Sequence, residues 1–193
     1  MNRAKFGVLS VVSAAMFFVT LPAAADQCLD LRDPEPRIDA CTENINSGKW
    51  KGRDQAVNYL NRGNAYARKG DVDRAIADYD QAIGLDPKYA YTYNNRGKEY
   101  FGKGDTDRAI TDFSQAISLD PKYAAFYFNR GLAYFTKGYN GRAIEDYSES
   151  IRLDPKDAIS YRNRGRAYKA MSEYDRAAAD CDQANSLDPK ARC

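Results

Sequence analysis

Histidine is absent from the whole 193-residue chain. Its absence removes the commonest general base and the usual partner of cysteine in zinc sites. No glycine-rich phosphate loop and no nucleophile elbow makes up for it, so no catalytic residue, metal ligand or cofactor is expected, and the chain does not read as an enzyme. A surplus of either charge is missing too: 29 Lys and Arg face 27 Asp and Glu, which gives nucleic acid no electrostatic reason to bind. Long apolar runs are confined to Phe6 to Leu21, preceded by Arg3 and Lys5 and followed by Ala23-Ala24-Ala25. That is the layout of a secretory signal peptide, and the run is short against the roughly 20 residues of a membrane span. Cleavage after Ala25 is therefore expected to remove residues 1–25, leaving no membrane insertion and 27 charges of each sign; an uncleaved anchor is the alternative. Cys28 is a poor lipid acceptor, because Asp26 and Gln27 stand where lipoprotein signals carry small residues. The expected location is the periplasm, or alternatively the secreted fraction.

What the chain has in quantity is repetition. Asn61-Arg62-Gly63 returns as Asn95-Arg96-Gly97, Asn129-Arg130-Gly131 and Asn163-Arg164-Gly165, each copy 34 residues after the last. A fixed period of this size indicates an array of small units and not one globular core. The first copy sets a frame of Tyr59, Gly63, Tyr66, Gly70, Ala75, Tyr79, Ala82, Ile83, Leu85 and Pro87, and the second repeats it from Tyr93 to Pro121.

This frame resembles the tetratricopeptide repeat, whose pattern is an aromatic residue, Leu-Gly, Tyr, Ala, Phe and Pro over 34 residues. The resemblance covers residues 56–191 as four units, 56–89, 90–123, 124–157 and 158–191, with 192–193 at the end. It implies an all-α fold in which antiparallel helix pairs, A and B, stack into a right-handed superhelical solenoid with a concave groove that binds a peptide or protein. One departure is systematic, because all four units carry Arg where the family has Leu before glycine. The fourth departs further, with Ser172 for the loop glycine and Cys181 for the aromatic of helix B. Glycine inside a helix costs roughly 1 kcal/mol against alanine, so its return at unit position 8 indicates close approach of two backbones. Gly70, Gly104 and Gly138 suit the left-handed residue that ends helix A, and Pro87, Pro121, Pro155 and Pro189 cannot continue helix B.

Residues 26–55 precede the array. Prolines 34 and 36 suggest a tethered loop, followed by a helix from Arg37 to Ile45. Laid over helix B of a unit, this helix puts Cys41 where Tyr79 stands and Ile45 where Ile83 stands, which makes it a half-repeat covering the first unit. The joint Ser47 to Asp54 is turn-rich, and its Trp50 is expected to pack back on that helix. At the other end, Ala178 and Asn185 replace the isoleucines found seven residues apart in units 1 to 3, as a terminal helix requires, with a Cys181–Cys193 clip expected in place of the family's capping helix; the alternative is that this last helix meets a partner chain. Four cysteines allow three connectivities. Only the pairs Cys28–Cys41 and Cys181–Cys193 avoid bridging the two ends of an elongated solenoid, and each would contribute about 3 kcal/mol.

In the family, unit positions 2, 5, 6, 9, 12 and 13 line the groove. Position 6 is Asn61, Asn95, Asn129 and Asn163. An amide donates and accepts at once, so four of them along a groove could hold an extended peptide backbone; the other reading is that each bonds a neighbouring helix and tunes stacking. Tyr91, Phe101, Phe128, Leu132 and Phe135 offer apolar anchors, unless Phe101 and Phe135 pack between adjacent A helices. Arg162, Arg166 and Lys169 turn the groove basic toward unit 4, matching a ligand with an acidic flank, although charge on a helix face also serves solvation alone. The carboxylate clamp of chaperone-binding members is not expected: Asn64 and Asn95 match it, but Leu60, Ala125 and Asn129 stand where it needs Lys or Arg. Each of Arg62, Arg96, Arg130 and Arg164 is followed 16 residues later by an aspartate, which predicts four ion pairs between helices A and B or between neighbours, an Arg130→Leu variant that keeps or raises the melting temperature and an Arg130→Ala variant that lowers it. The leading expectation is a non-catalytic scaffold binding a protein or peptide. The alternative is an envelope protein acting through self-association, its oligomeric state being open.

Overall fold

The computed structural model describes Cys28 and residues 33–190; the expected signal segment and Cys193 lie outside them. The described residues form nine α-helices and no strand. A first helix, α1 (Pro34–Asn46), precedes four A helices, α2 (Gly52–Arg68), α4 (Ala90–Gly102), α6 (Ala124–Thr136) and α8 (Ala158–Ala170). These alternate with B helices α3 (Val72–Leu85), α5 (Thr106–Leu119), α7 (Asn140–Leu153) and α9 (Tyr174–Leu187). None is long and apolar enough to cross a membrane.

Helix α1 starts earlier than its prolines suggested. Pro34 and Pro36 sit inside its first turn, and the Asp33 side chain accepts from Glu35 N at 3.2 Å. First-turn N–H groups have no helical partner, so proline loses nothing there. Each A helix ends on a residue with positive φ, Gly70, Gly104, Gly138 and Ser172, and the backbone then bonds back, as from Asp71 N to Tyr66 O at 2.9 Å. Asp71 and Asp105 cap α3 and α5.

At unit position 8 of units 1 to 3 what comes closest is a ring of helix B and not, as expected, a second backbone. A Cβ on Gly63, Gly97 or Gly131 would lie 2.8, 2.8 and 2.9 Å from the rings of Tyr79, Phe113 and Tyr147. Those rings are fully buried and form the core of each pair. Every A helix packs on its own B helix, on the B helix before it, and lightly on neighbouring A helices, whereas B helices do not meet one another. The solenoid therefore curves toward its A side. Helix α1 packs on α2 as a preceding B helix would, and the Cys28–Cys41 disulfide fastens the chain to it.

Candidate functional site

The arginines at unit position 7 form the most regular polar feature. Nε and Nη2 of Arg62, Arg96, Arg130 and Arg164 donate to both oxygens of Asp78, Asp112, Asp146 and Asp180, with distances from 2.7 to 2.9 Å. All four carboxylates are buried. The remaining nitrogen, Nη1, crosses to the preceding unit: it reaches Thr42 at 3.0 Å, Asp80 at 2.5 Å, and Ser114 and Ser148 at 3.1 Å. Thr42 stands in α1 where the half-repeat alignment puts the counterpart of Asp80. Each guanidinium also lies between the rings at unit positions 4 and 11, for Arg62 at 5.6 and 5.9 Å from Tyr59 and Tyr66. A planar cation that bonds on three sides and stacks on two explains why arginine stands where the family has leucine. The bond to Asp146 holds Arg130 above its ordinary basicity, while burial raises the Asp146 carboxyl despite that bond. Desolvation thus offsets the pairing, and this arrangement serves stacking.

Two of the four position-6 amides, those of Asn95 and Asn129, are drawn into the seams between A helices. Asn129 Nδ2 donates to Asn94 Oδ1 at 2.8 Å, Asn94 Nδ2 to Asn95 Oδ1 at 3.3 Å, and Asn95 Nδ2 to Asn64 Oδ1 at 2.9 Å. Tyr79 OH donates to the same Asn64 oxygen at 2.9 Å. A continuous amide chain thus joins α6, α4 and α2. Asn163 is buried and donates to Ile159 O at 2.9 Å, and Asn61 Nδ2 is buried without a partner. These bonds favour the stacking role for Asn95 and Asn129.

The expected apolar anchors divide among three clusters. Tyr91 belongs to an aromatic cluster at the seam of units 2 and 3, with its ring 5.0 Å from Tyr123 and 5.5 Å from Phe126. Phe101 packs half-buried against Ala109, Phe113 and Ala133. Phe128 and Phe135 pack half-buried against Ala143, Tyr147 and Ala167, and Leu132 is half-buried on the same helix.

One opening collects four of the expected residues. Phe135, Arg162, Arg166 and Lys169 line a pocket of about 900 Å³ whose floor includes Gly165, Ala178 and Cys181. The Arg166 guanidinium lies 5.4 Å from the centre of the Phe135 ring, and its Nη1 donates to Asn163 Oδ1 at 3.3 Å. Tyr174 and Ala177, which the sequence did not single out, also line the pocket. Its signal was present in Ala178, read there with Asn185 as the finish of a last helix, and in Cys181, read as a departure from the aromatic of helix B; the space left by a smaller side chain needs the helix partner to be seen. Cys181 is disulfide-bonded, and its expected partner Cys193 lies outside the described residues.

Comparison with known proteins matches this architecture. A family described as TPR repeat matches residues 63–104 and 97–138, and families described as Tetratricopeptide repeat match 124–157 and 158–191. No curated protein matches the sequence. Among solved structures, a crystal structure of MamA is similar with a TM-score of 0.77 at 25% identity, over 86% of this chain and 95% of that one. MamA 41-end from Desulfovibrio magneticus RS-1 is similar with a TM-score of 0.76 at 21% identity, over 86% and 91% of the two chains.

Proposed function

Because this chain belongs to the tetratricopeptide repeat family, we propose that it is a non-catalytic, exported interaction scaffold that binds a protein or peptide segment along its A-helix side. The observation that carries this reading is the sequence of side chains along that concave side. Half-buried Phe101, Leu132 and Phe135 lead to Arg162, Arg166 and Lys169, none of which pairs with a carboxylate among the described residues. A segment with an apolar middle and an acidic flank fits this order. Asn95 and Asn129 support the surface from behind by bonding neighbouring A helices to each other, whereas Asn61 and Asn163 make no bond to another helix through their amide nitrogens. Export to the periplasm is supported by the Cys28–Cys41 disulfide, which persists in oxidising compartments, and by the signal-like residues 1–25.

A pull-down from envelope extract tests the reading. The mature protein should retain a partner that Arg162→Glu/Arg166→Glu loses and Asn95→Ala/Asn129→Ala keeps. A partner held equally by all three proteins would remove the basic end from the binding surface. Self-association is the second reading, favoured by Tyr139, Met171 and Tyr174, which are exposed where the A-to-B turns of units 3 and 4 lie. Light scattering separates the two, since a monomer at all concentrations excludes self-assembly.

A further inference from the structure

We propose that the outward face of unit 4 is a docking socket for an acidic helix of a partner protein, which depends on the scaffold reading only in that the occupant is protein. The inner units show what such a face takes. In unit 2 it is built on Ala109 and Phe113 and closes over Ala133 of α6; in unit 3 it is built on Ala143 and Tyr147 and closes over Ala167 of α8. Both fillers are alanines at unit position 10 of a following A helix, so the face is shaped for a helix carrying a small apolar side chain.

In unit 4 the floor and the rim both change. Ala177 keeps the floor alanine, but Cys181, itself disulfide-bonded, replaces the ring, and the atoms nearest a Cβ on Gly165 belong to Ala177 and Asp180 where its counterparts meet a Tyr or Phe. With Ala178 in place of isoleucine, this leaves the 900 Å³ opening. At unit positions 5, 9 and 12, unit 3 has Phe128, Leu132 and Phe135, whereas unit 4 has Arg162, Arg166 and Lys169. Their spacing lays them along one side of α8. Three lysines of the other A-to-B turns and their neighbours are matched, Lys103 by Asp73 at 2.5 Å and Lys69 and Lys137 by Glu35 and Asp107, whereas no carboxylate lines the unit 4 opening. Three unmatched cations beside an apolar floor select a helix whose carboxylates flank a small apolar residue. Helix α1 of a second copy lacks that pattern: Glu35, Asp39 and Glu43 are exposed, but beyond Pro36 no apolar side chain of α1 is.

The test uses a fluorescein-labelled helical peptide built on the repeat Glu-Ala-Ala-Leu-Glu-Ala-Glu, with a control carrying lysine for every glutamate. Fluorescence anisotropy should show the acidic peptide binding the mature protein at least tenfold more tightly than the lysine peptide. Ala178→Phe, which fills the floor from an exposed position, and Arg162→Glu/Arg166→Glu should each weaken binding at least tenfold. Amide NMR shifts should move at Gly165 and Ala177. Undiminished binding by Ala178→Phe overturns the socket and leaves the groove reading standing, while a failed pull-down with the peptide still bound does the reverse. No binding of the acidic peptide at millimolar concentration also overturns the socket. So does a concentration-dependent oligomer that Ala178→Phe dissolves, since a second copy would then hold the site.

Discussion

At the scale of single residues, two polar groups have burial and bonding out of balance. Tyr79 and Tyr147 occupy the same unit position, and burial pushes both phenols above their ordinary range. Tyr79 donates to Asn64, whereas Tyr147 has Leu132 at the corresponding place and its hydroxyl is buried without a partner. An unsatisfied buried group costs about 1–3 kcal/mol, and a made hydrogen bond contributes about 1. Tyr147→Phe should therefore raise the melting temperature and Tyr79→Phe lower it; equal shifts in thermal melts would contradict the difference in environment. The second group is Asp146. Its burial changes the expectation for Arg130→Leu, because the lone substitution leaves a buried carboxylate unpaired and should cost about 3–5 kcal/mol. Arg130→Leu/Asp146→Leu should recover most of that loss. The single variant should also depend on pH. Burial already raises the Asp146 carboxyl in the parent despite Arg130, so without that partner the folded variant should take up the proton before the unfolded chain does, whose value is about 4. The deficit is full above the folded value and shrinks as pH falls toward the unfolded one, and urea melts across that range check it.

At the scale of the helices, the turns from A to B are equivalent in geometry but not in sequence. Gly70, Gly104 and Gly138 take positive φ at no steric cost, whereas Ser172 is held at φ 63°. A non-glycine residue there costs roughly 1–2 kcal/mol. Ser172→Gly should therefore stabilise α8 and α9 and slow their amide exchange, with α2 to α5 unchanged; no change in unit 4 would mean the strain is relieved locally. Helix boundaries were legible wherever a glycine or proline marked them. The start of α1 was not, because a proline reads as a break from sequence alone and is harmless only once its place in the first turn is known.

At the scale of the whole molecule, stability is a chain of neighbouring contacts, since helices of non-adjacent units do not meet. Cys28 and Cys41 close a 13-residue separation onto the first unit. Cys28→Ala/Cys41→Ala should cost about 3 kcal/mol and show it locally. Hydrogen exchange should quicken in α1 and the start of α2 while α7 to α9 keep their protection. Equal loss along the array would mean that the solenoid melts as one unit and not from its ends.

The 34-residue period, the helix pairs and the Arg–Asp partnership were determined by sequence alone, because each depends on spacing and spacing is what a sequence states, whereas the pairing of Cys28 with Cys41 was one of three connectivities until the structure chose it. Where the amides point was decided only by the tertiary structure. Asn95 and Asn129 lie on the side of helix A that the pattern assigned to a ligand, but the curvature of the array brings neighbouring A helices close enough for those amides to bond each other. The pocket beside Cys181 has the same origin. A small residue becomes a cavity only when the helices around it hold their distance while nothing among the described residues enters the gap.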